Sequence, residues 1–205
     1  MAKKSLRPLS SKFGFDRGKP IDRYWIEEFL DKNQNAIRGR VLEVTDPLYT
    51  KRYGGNRVTK SDVLDINTSN KLANIHGDLR NLKKVINDNI YDCIILTHVL
   101  GLVDDYPAAI SEIRRILKPD GVLLFTGSCL GPILGEEVYW RFTPYSTKYI
   151  FDKHFSPKYI EVASYGNVLA GQSFWVGMAQ EDLSKDQLEL YDKRYPCIVS
   201  AIVIK

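Results

Sequence analysis

Residues 88–125, DNIYDCIILTHVLGLVDDYPAAISEIRRILKPDGVLLF, decide the fold. Two continuous apolar runs, Ile94–Leu96 and Val122–Phe125, are typical of parallel strands that are covered on both faces. Between these runs, apolar residues recur at helical spacing while charged residues fall largely on the other faces; the apolar positions are Ala109, Ile113, Ile116 and Leu117. The turn Lys118–Gly121 then ends the helix. This unit predicts an α/β fold with a parallel sheet.

The rest of the chain supplies further strands and helices. The predicted strands are Arg40–Val44, Arg57–Asp62, Ala73–His76, Tyr91–Thr97, Gly121–Gly127, Lys158–Ser164 and Cys197–Ile204. A helix is expected to begin at Pro20, and another at Thr143-Pro144. We expect residues 1–15 to be a flexible N-terminal segment and residues 16–205 to form a single domain.

Composition and charge exclude several classes of protein. Hydrophobic residues make up 44% and charged residues 26% of the 205 residues, which is typical of a folded protein with a sizeable core. The net charge of +4 is small, and its clearest basic cluster, at Lys3, Lys4, Arg7 and Lys12, is weak evidence for binding nucleic acid, so none is expected. No apolar run approaches the roughly 20 residues that a membrane span needs, and no signal peptide is visible. These features predict a cytoplasmic protein.

Neither a disulfide framework nor a metal motif is visible. Cys93, Cys129 and Cys197 are odd in number, and two of them fall inside predicted buried strands. The three histidines are too scattered along the sequence to suggest a metal site. We therefore expect chemistry that needs no metal.

The segment I-R-R-I-L-K-P-D-G-V-L-L at residues 113–124, which follows a strand and an acidic loop, resembles part of a known family. It is similar to the region of the fourth and fifth strands in class I S-adenosylmethionine-dependent methyltransferases, particularly the broad type-11 group. The resemblance covers about residues 15–205 and implies a Rossmann-like, doubly wound sheet of seven strands in the order 3-2-1-4-5-7-6, with strand 7 antiparallel. It also implies S-adenosylmethionine as the cofactor. Other Rossmann-like folds remain the alternative at this stage, because many contain such a unit.

The first strand and its loop depart from the family pattern. The family typically has E-x-G-x-G here, because the backbone approaches the cofactor closely. This chain keeps the acid, Glu43, but places Thr45 and Pro47 where the glycines would fall. Asp46-Pro47 can still begin a helix whose N-terminus attracts an anion. The resemblance thus implies that Glu43, Thr45 and Asp46 bind the cofactor, and the alternative is a merely structural turn.

The second predicted strand ends in a carboxylate, Asp62, that could accept both hydroxyls of a ribose. Asp65 is the nearby competitor for that role. A solvated acid at a strand end, without any ligand, is the alternative interpretation.

The third strand is followed by His76-Gly77-Asp78-Leu79. This segment resembles the family's G-D-L sequence, whose Asp and following amide receive the adenine, so Asp78 and Leu79 are candidate cofactor residues. Because Gly-Asp pairs are common in turns, a purely structural turn is the alternative.

Thr97 and His98 follow the fourth strand and should lie at the carboxyl edge of the sheet, where open α/β sheets bind ligands. A neutral imidazole there could remove a proton from a hydroxyl, which makes His98 the candidate base. In the resembled family this position more often helps to hold the cofactor, so Thr97 is a candidate cofactor contact. For His98, contact with the cofactor or substrate and a structural role are the alternatives.

A loop containing four glycine or proline residues precedes Tyr139-Trp140-Arg141-Phe142-Thr143, in the right place for a cover over the substrate. This segment and the region around Tyr24 resemble a bacterial subgroup of type-11-like proteins that is often associated with glycosyltransferases. The resemblance implies that Tyr24, Tyr139, Trp140 and Arg141 contact the substrate. An aromatic anchor at the start of a helix is the alternative for residues 139–143.

The leading hypothesis is a methyltransferase that acts on an oxygen, or less readily a nitrogen, of a small-molecule or saccharide acceptor, with a possible link to a glycosyltransferase pathway. Positioning would do most of the work in such a reaction, so the lack of a metal motif is no objection. A catalytically silent binding or assembly module is the alternative suggested by Thr45 and Pro47. A nicotinamide-dependent oxidoreductase is disfavoured by the missing G-x-G-x-x-G motif and by the predicted seventh strand.

Overall fold

The computed structural model describes residues 5–135 and 137–205. Within these ranges the strands are β1 (Gly39–Val44), β2 (Val58–Asp65), β3 (Ile75–His76), β4 (Tyr91–Thr97), β5 (Leu117–Ser128), β6 (Ile160–Tyr165) and β7 (Ile198–Ile204). The α-helices in the same ranges are α1 (Ile21–Lys32), α2 (Tyr106–Ile116), α3 (Pro144–Asp152), α4 (Val168–Trp175) and α5 (Lys185–Glu189). Short 3-10 or π turns join several of these elements.

The seven strands of the described residues form one sheet in the order β3-β2-β1-β4-β5-β7-β6. The strands β1 to β5 pair in parallel. In contrast, β7 runs antiparallel to both β5 and β6. The predicted fold class, strand order and orientation of the last strand are therefore confirmed.

The unit β4-α2-β5 forms as its apolar spacing predicts. Asp105 caps α2 by accepting a hydrogen bond from Ala108 N at 3.1 Å, and the helix buries Ala109 and Ile113. β5 begins at Leu117, four residues before its predicted start, so the chain passes from α2 directly into the strand. The parallel pairing of β4 with β5 aligns their carboxyl ends at one edge of the sheet.

Two layers of helices cover the sheet, one on each face. On one face, α2 and α3 contribute Ile113, Ile116 and Phe151 to an apolar cluster. On the other face, α1 and α4 contribute residues such as Trp25 and Phe174 to a second cluster. Burial of these apolar side chains is the main favourable contribution to folding, at roughly 25 cal/mol per Å². Ligands must therefore bind at an edge, because both faces are covered.

The second strand is longer than its sequence predicts. β2 continues to Asp65, so the prediction that Asp62 ends this strand is wrong. Apolar residues at Val63 and Leu64 carry the strand onward, and both are buried. β3 is a two-residue strand, Ile75–His76, that pairs with Leu64 and Asp65. β2 therefore reaches the carboxyl edge of the sheet at Asp65.

Residues 9–17 pack along α4 and the turn that follows it. Leu9 N donates a hydrogen bond to Val176 O at 2.7 Å, and the ring of Phe13 stacks on Phe174 with centroids 6.4 Å apart. Arg17 pairs with Asp182 at 2.8 Å. The expected flexibility and the domain boundary near residue 15 stay predictions, and residues 1–4 lie outside the described residues.

Cys93, Cys129 and Cys197 are free thiols. In residues 5–135 and 137–205, none of the helices combines the length and the apolar character that crossing a membrane requires.

Candidate functional site

Two adjoining pockets open at the carboxyl edge of the parallel strands. The larger, called here the strand-end pocket, has a volume of about 530 Å³ and is lined by residues at or after the ends of β1 to β4, among them Val44, Thr45, Asp65, Asp78, Leu79 and Val99. The smaller, called here the α1 pocket, has a volume of about 240 Å³ and lies between the first turn of α1, the ends of β4 and β5, and α4. Leu102 contributes to the walls of both pockets.

The loop after β1 turns sharply at Thr45. Thr45 has φ = 77°, a left-handed conformation that glycine adopts readily and a β-branched residue adopts only with strain. It is also exposed in the wall of the strand-end pocket. The backbone therefore keeps the conformation of a glycine-rich loop although the glycine is missing.

Glu43 stabilises this loop from inside. Its carboxylate is buried and accepts hydrogen bonds from Tyr49 N at 3.0 Å and Thr50 N at 2.7 Å. Burial raises the pKa of Glu43 to about 7, although both amide donors favour the charged form. Asp46 Oδ1 accepts from Leu48 N at 2.8 Å. The expectation that free amides of this turn face a ligand is wrong for these three, because Glu43 and Asp46 already bind them.

Asp62 belongs to the sheet interior. Its side chain accepts hydrogen bonds from Arg40 Nε at 2.6 Å and Asn74 Nδ2 at 2.7 Å, and Tyr91 Oη lies 3.3 Å away. Burial would raise the pKa of Asp62, but the donors Asn74 and Arg40 outweigh burial and lower it. Asp62 does not line the strand-end pocket, so the structure gives no support to its predicted contact with a ribose.

Asp65 occupies the position that the sequence analysis gave to Asp62. It is the last residue of β2 and lines the strand-end pocket. Asn67 N and Asn70 Nδ2 donate to its two oxygens at 2.8 and 2.7 Å, which holds the carboxylate at the strand end. Of the two acids of β2 that the sequence offered, Asp65 is therefore the one that lines this pocket.

Asp78 and Leu79 line the strand-end pocket, as the prediction for a ligand contact requires. The carboxylate of Asp78 binds Arg80, and Arg80 also donates to Asp104 at 2.6 Å. The hydrogen bonds from Arg80 lower the pKa of Asp78. This network ties the loop after β3 to the loop before α2. Leu79 is buried beside it and adds an apolar surface.

His98 and Val99 separate the two pockets. His98 lines the α1 pocket and Val99 lines the strand-end pocket, although they are adjacent in the sequence. His98 has φ = 60°, a strained conformation of the kind that clusters at functional sites. Thr97, the last residue of β4, lies in the wall of neither pocket. The structure therefore places His98, and not Thr97, at a site.

The imidazole of His98 lies between two polar side chains. Nδ1 is 3.1 Å from Ser128 Oγ, and Nε2 is 3.3 Å from Asp22 Oδ2 without the alignment of a hydrogen bond. Burial lowers the pKa of His98 to about 4, with Asp22 opposing the shift and Arg23 and Arg141 adding to it. His98 is consequently neutral at pH 7.

Only two of the four residues predicted to contact a substrate, Tyr139 and Arg141, line one of the two pockets. Arg141 lines the α1 pocket, where its Nη2 donates to Gly131 O at 3.0 Å, and burial lowers its pKa. Tyr139 lines the strand-end pocket. Neither Tyr24 nor Trp140 lines one of these two pockets, and their contact with a substrate stays a prediction.

Local contacts explain where Tyr24 and Trp140 lie. Tyr24 lies on a different side of α1 from Asp22 and Arg23, because successive residues of a helix point in different directions. Its hydroxyl donates a hydrogen bond to Glu189 Oε1 at 3.1 Å. Trp140 donates from Nε1 to Val103 O at 2.9 Å, and its ring packs edge-on against Tyr106. Trp140 therefore packs against the first residue of α2, as the alternative of an aromatic anchor describes.

Several residues of the α1 pocket were missed by the sequence analysis. Asp22 and Arg23 lie in the first turn of α1, and Ser128 is the last residue of β5. The strand-edge rule that selected His98 could have selected Ser128 as well. Asp22 and Arg23 carried no such signal, because an acid and a base in a first helical turn are common on solvated surfaces.

The order of the strands and a ligand-sized pocket at their carboxyl ends define the class, which is the fold of S-adenosylmethionine-dependent methyltransferases. A family model described as a methyltransferase domain matches residues 22–162. The chain belongs to this methyltransferase domain family, and the resemblance found in the sequence is confirmed.

Solved structures of the same fold agree. An S-adenosylmethionine-dependent methyltransferase from Archaeoglobus fulgidus has a TM-score of 0.58 at 14% identity, covering 89% of this chain and 94% of that chain. DhpI in complex with SAH has a TM-score of 0.56 at 15% identity, covering 97% of each chain. The N-methyltransferase NodS from Bradyrhizobium japonicum, in complex with S-adenosyl-L-homocysteine, has a TM-score of 0.52 at 11% identity, covering 92% and 89%.

A curated relative is a highly reducing polyketide synthase, phiA, of a fungal species. It is 28% identical over 92 residues, which are 45% of this chain and 3% of that much longer enzyme. The chain therefore spans only a small part of the length of this relative.

Proposed function

We propose that this protein transfers a methyl group from S-adenosylmethionine to an oxygen, or less readily a nitrogen, of a small molecule. The observation that carries the proposal is the adjacency of the two pockets, which share Leu102 and are separated by His98 and Val99. Methyl transfer needs a donor and an acceptor held in line and away from water, and adjoining pockets provide that arrangement. Membership of the methyltransferase domain family supports it.

The strand-end pocket fits the cofactor chemically. Its volume of about 530 Å³ falls in the range that holds drug-sized ligands. Asp65 offers a carboxylate to the ribose hydroxyls, and Leu79 and Val99 offer apolar surface to the adenine. The exposed, left-handed backbone at Thr45 allows a ligand to approach the main chain closely. When bound, S-adenosylmethionine supplies the reactive methyl group on its sulfonium centre.

The α1 pocket is proposed to hold the acceptor. His98 is neutral near pH 7 and lines this pocket, so its imidazole is available to contact an acceptor hydroxyl and to take its proton. Arg141, which was expected to contact the substrate, lines the same pocket. A saccharide hydroxyl, which the glycosyltransferase-associated resemblance implies, is one acceptor to test.

A catalytically silent module is the second candidate, and one observation favours it. The amides of Leu48, Tyr49 and Thr50 are occupied by Asp46 and Glu43, so this turn offers fewer donors to a cofactor than a glycine-rich loop would. In that case the fold would bind or assemble without transferring a methyl group.

Isothermal titration of the whole chain with S-adenosylmethionine and with S-adenosylhomocysteine separates these functions. We expect saturable binding of both ligands at one site per chain. The variant Arg141→Gln serves as a matched control, because Arg141 lines the α1 pocket and not the strand-end pocket, so its loss should leave cofactor affinity unchanged. An absence of heat at millimolar ligand with folded protein would overturn the proposal.

A further inference from the structure

Asp22 is a buried carboxylate in the wall of the α1 pocket. It is 7% exposed and is the second residue of α1. Its Oδ2 lies 3.2 Å from Arg23 Nη1 and 3.3 Å from His98 Nε2. Its Oδ1 is buried and accepts no hydrogen bond from the residues that the structure describes. Asp22 therefore has unused capacity to accept a hydrogen bond where the acceptor is proposed to bind.

His98, the neighbour of Asp22 in the pocket wall, also carries a polar atom without a hydrogen bond in the described part of the chain. His98 Nε2 is also buried and has no hydrogen-bond partner among the described residues. Its other ring nitrogen, Nδ1, is near Ser128 Oγ. Buried polar groups are nearly always hydrogen-bonded, so Asp22 Oδ1 and His98 Nε2, two unsatisfied polar atoms of one pocket wall, have unused capacity to bind a polar ligand.

Apart from Arg23, which pairs with Asp22, and Arg141, which donates to Gly131 O, the rest of the α1 pocket is largely apolar and aromatic. Phe13, Phe15 and Phe174 line it together with Leu130 and Pro132. Such a lining favours a ligand whose body is apolar and whose polar atoms are few. Asp22 would then determine which polar group of that ligand is bound in the pocket.

We infer that Asp22 accepts a hydrogen bond from a hydroxyl or amine group of the acceptor, so that the acceptor is a hydroxyl or amine compound with an apolar, ring-sized body and not a carboxylate. The inference rests on the proposed function, since it assigns the acceptor to the α1 pocket. A carboxylate carries no proton at neutral pH and would face the charge of Asp22. A hydroxyl or amine proton instead satisfies the carboxylate oxygen that the folded chain leaves unpaired.

Three small probes of similar size test the inference by NMR of the whole chain. Phenol carries an O–H, anisole has the same ring and oxygen without the proton, and benzoate carries a carboxylate. Each is titrated with S-adenosylhomocysteine present while the imidazole signals of His98 are followed, after assignment with His98→Gln. We expect phenol to shift these signals with an affinity about tenfold higher than that of anisole or benzoate, as one charge-assisted hydrogen bond predicts.

Variants at two carboxylates of the same helix add a second measurement. Asp22→Asn should reduce the affinity for phenol to that for anisole. Glu28→Gln is the control, because Glu28 pairs with Lys32 at the other end of α1 and should leave the phenol affinity unchanged. The comparison of the three probes on the unmodified chain decides the question even if Asp22→Asn does not fold.

The inference is overturned if benzoate or anisole binds as tightly as phenol, if a folded Asp22→Asn variant binds phenol normally, or if none of the probes shifts the His98 signals. The affinity for S-adenosylhomocysteine is measured separately by calorimetry. Loss of that binding contradicts the proposed function, while the probe titrations, repeated without the nucleoside, still report on Asp22.

Discussion

Asp62 and Asp65 lie on the same strand, but only Asp65 reaches a pocket. Asp62 is 1% exposed, and its carboxylate is paired with Arg40 inside the sheet. Asp65 ends the strand and faces the strand-end pocket. Two acids three residues apart therefore differ in function, because one stabilises the sheet and the other is open to a ligand.

The variant Asp65→Asn should weaken binding of S-adenosylmethionine by roughly 1–3 kcal/mol, because charge-assisted hydrogen bonds to the ribose hydroxyls would be lost. Titration calorimetry measures this change. The free energy of unfolding should change little, since Asp65 binds only its own loop, through Asn67 and Asn70.

Asp62→Asn is the matched control and should give the opposite result. It leaves Arg40 without its carboxylate partner and should lower the free energy of unfolding by roughly 2–4 kcal/mol. The affinity of the folded fraction for S-adenosylmethionine should be unchanged. If instead Asp62→Asn weakens binding and Asp65→Asn does not, the assignment of Asp65 is wrong.

The sequence predicts the sheet well because its strands are long apolar runs. Ile94–Leu96 and Leu123–Phe125 are buried, and the last strand at Ile198–Ile204 pairs antiparallel as expected. The end of β2 was predicted too early, because Asp62 is a charged residue within a strand and charged residues usually mark strand ends. Its partner, Arg40, is 22 positions away in the sequence, and that pairing is invisible without the fold.

The candidate site is less predictable, because its walls come from distant segments. His98 and Asp78 follow strands and could be found by the edge rule. Asp22 and Phe13 reach the α1 pocket only because α1 and the chain before it pack beside α4. Tyr24 was chosen by resemblance, and the helical rotation of about 100° per residue turns it away from its neighbour Arg23.

The stability of the protein should depend on the protonation of His98. Its pKa is about 4 in the folded chain and near the ordinary 6.5 when unfolded. Between these values the unfolded chain binds a proton that folded His98 does not, so the free energy of unfolding falls as the pH falls from 6.5 to 4. The largest possible contribution is about 3 kcal/mol.

Denaturant unfolding of the unmodified chain and of His98→Gln over this pH range measures the effect. The difference between the two curves isolates the contribution of His98, because Glu43 is present in both proteins. The contribution of Glu43 has the opposite sign. Its raised pKa of about 7 means that the folded chain binds the proton, which stabilises the protein below neutral pH. Parallel curves for the two proteins would show that His98 is not the titrating group.

His98→Ala separates a base from a cofactor contact once an acceptor is identified. If His98 is the base, turnover should fall by about 10²–10⁴-fold while the affinity for S-adenosylmethionine stays nearly intact. His98 lines only the α1 pocket of the two, which supports this outcome. Weakened cofactor binding with near-normal turnover at saturation would exclude the base role.

Thr45→Gly should leave the free energy of unfolding unchanged or raise it by up to about 2.5 kcal/mol. A non-glycine residue at positive φ costs about 1–3 kcal/mol, and the greater freedom of glycine in the unfolded chain offsets about 0.5–1 kcal/mol of the gain. Thr59→Gly is the control, because Thr59 is an exposed residue of β2 whose φ is not positive, and this change should be destabilising. Urea denaturation of both variants measures the difference. A loss of stability for Thr45→Gly as large as that for Thr59→Gly would mean that Thr45 is not strained, and that the loop does not depend on a glycine-like conformation at this position.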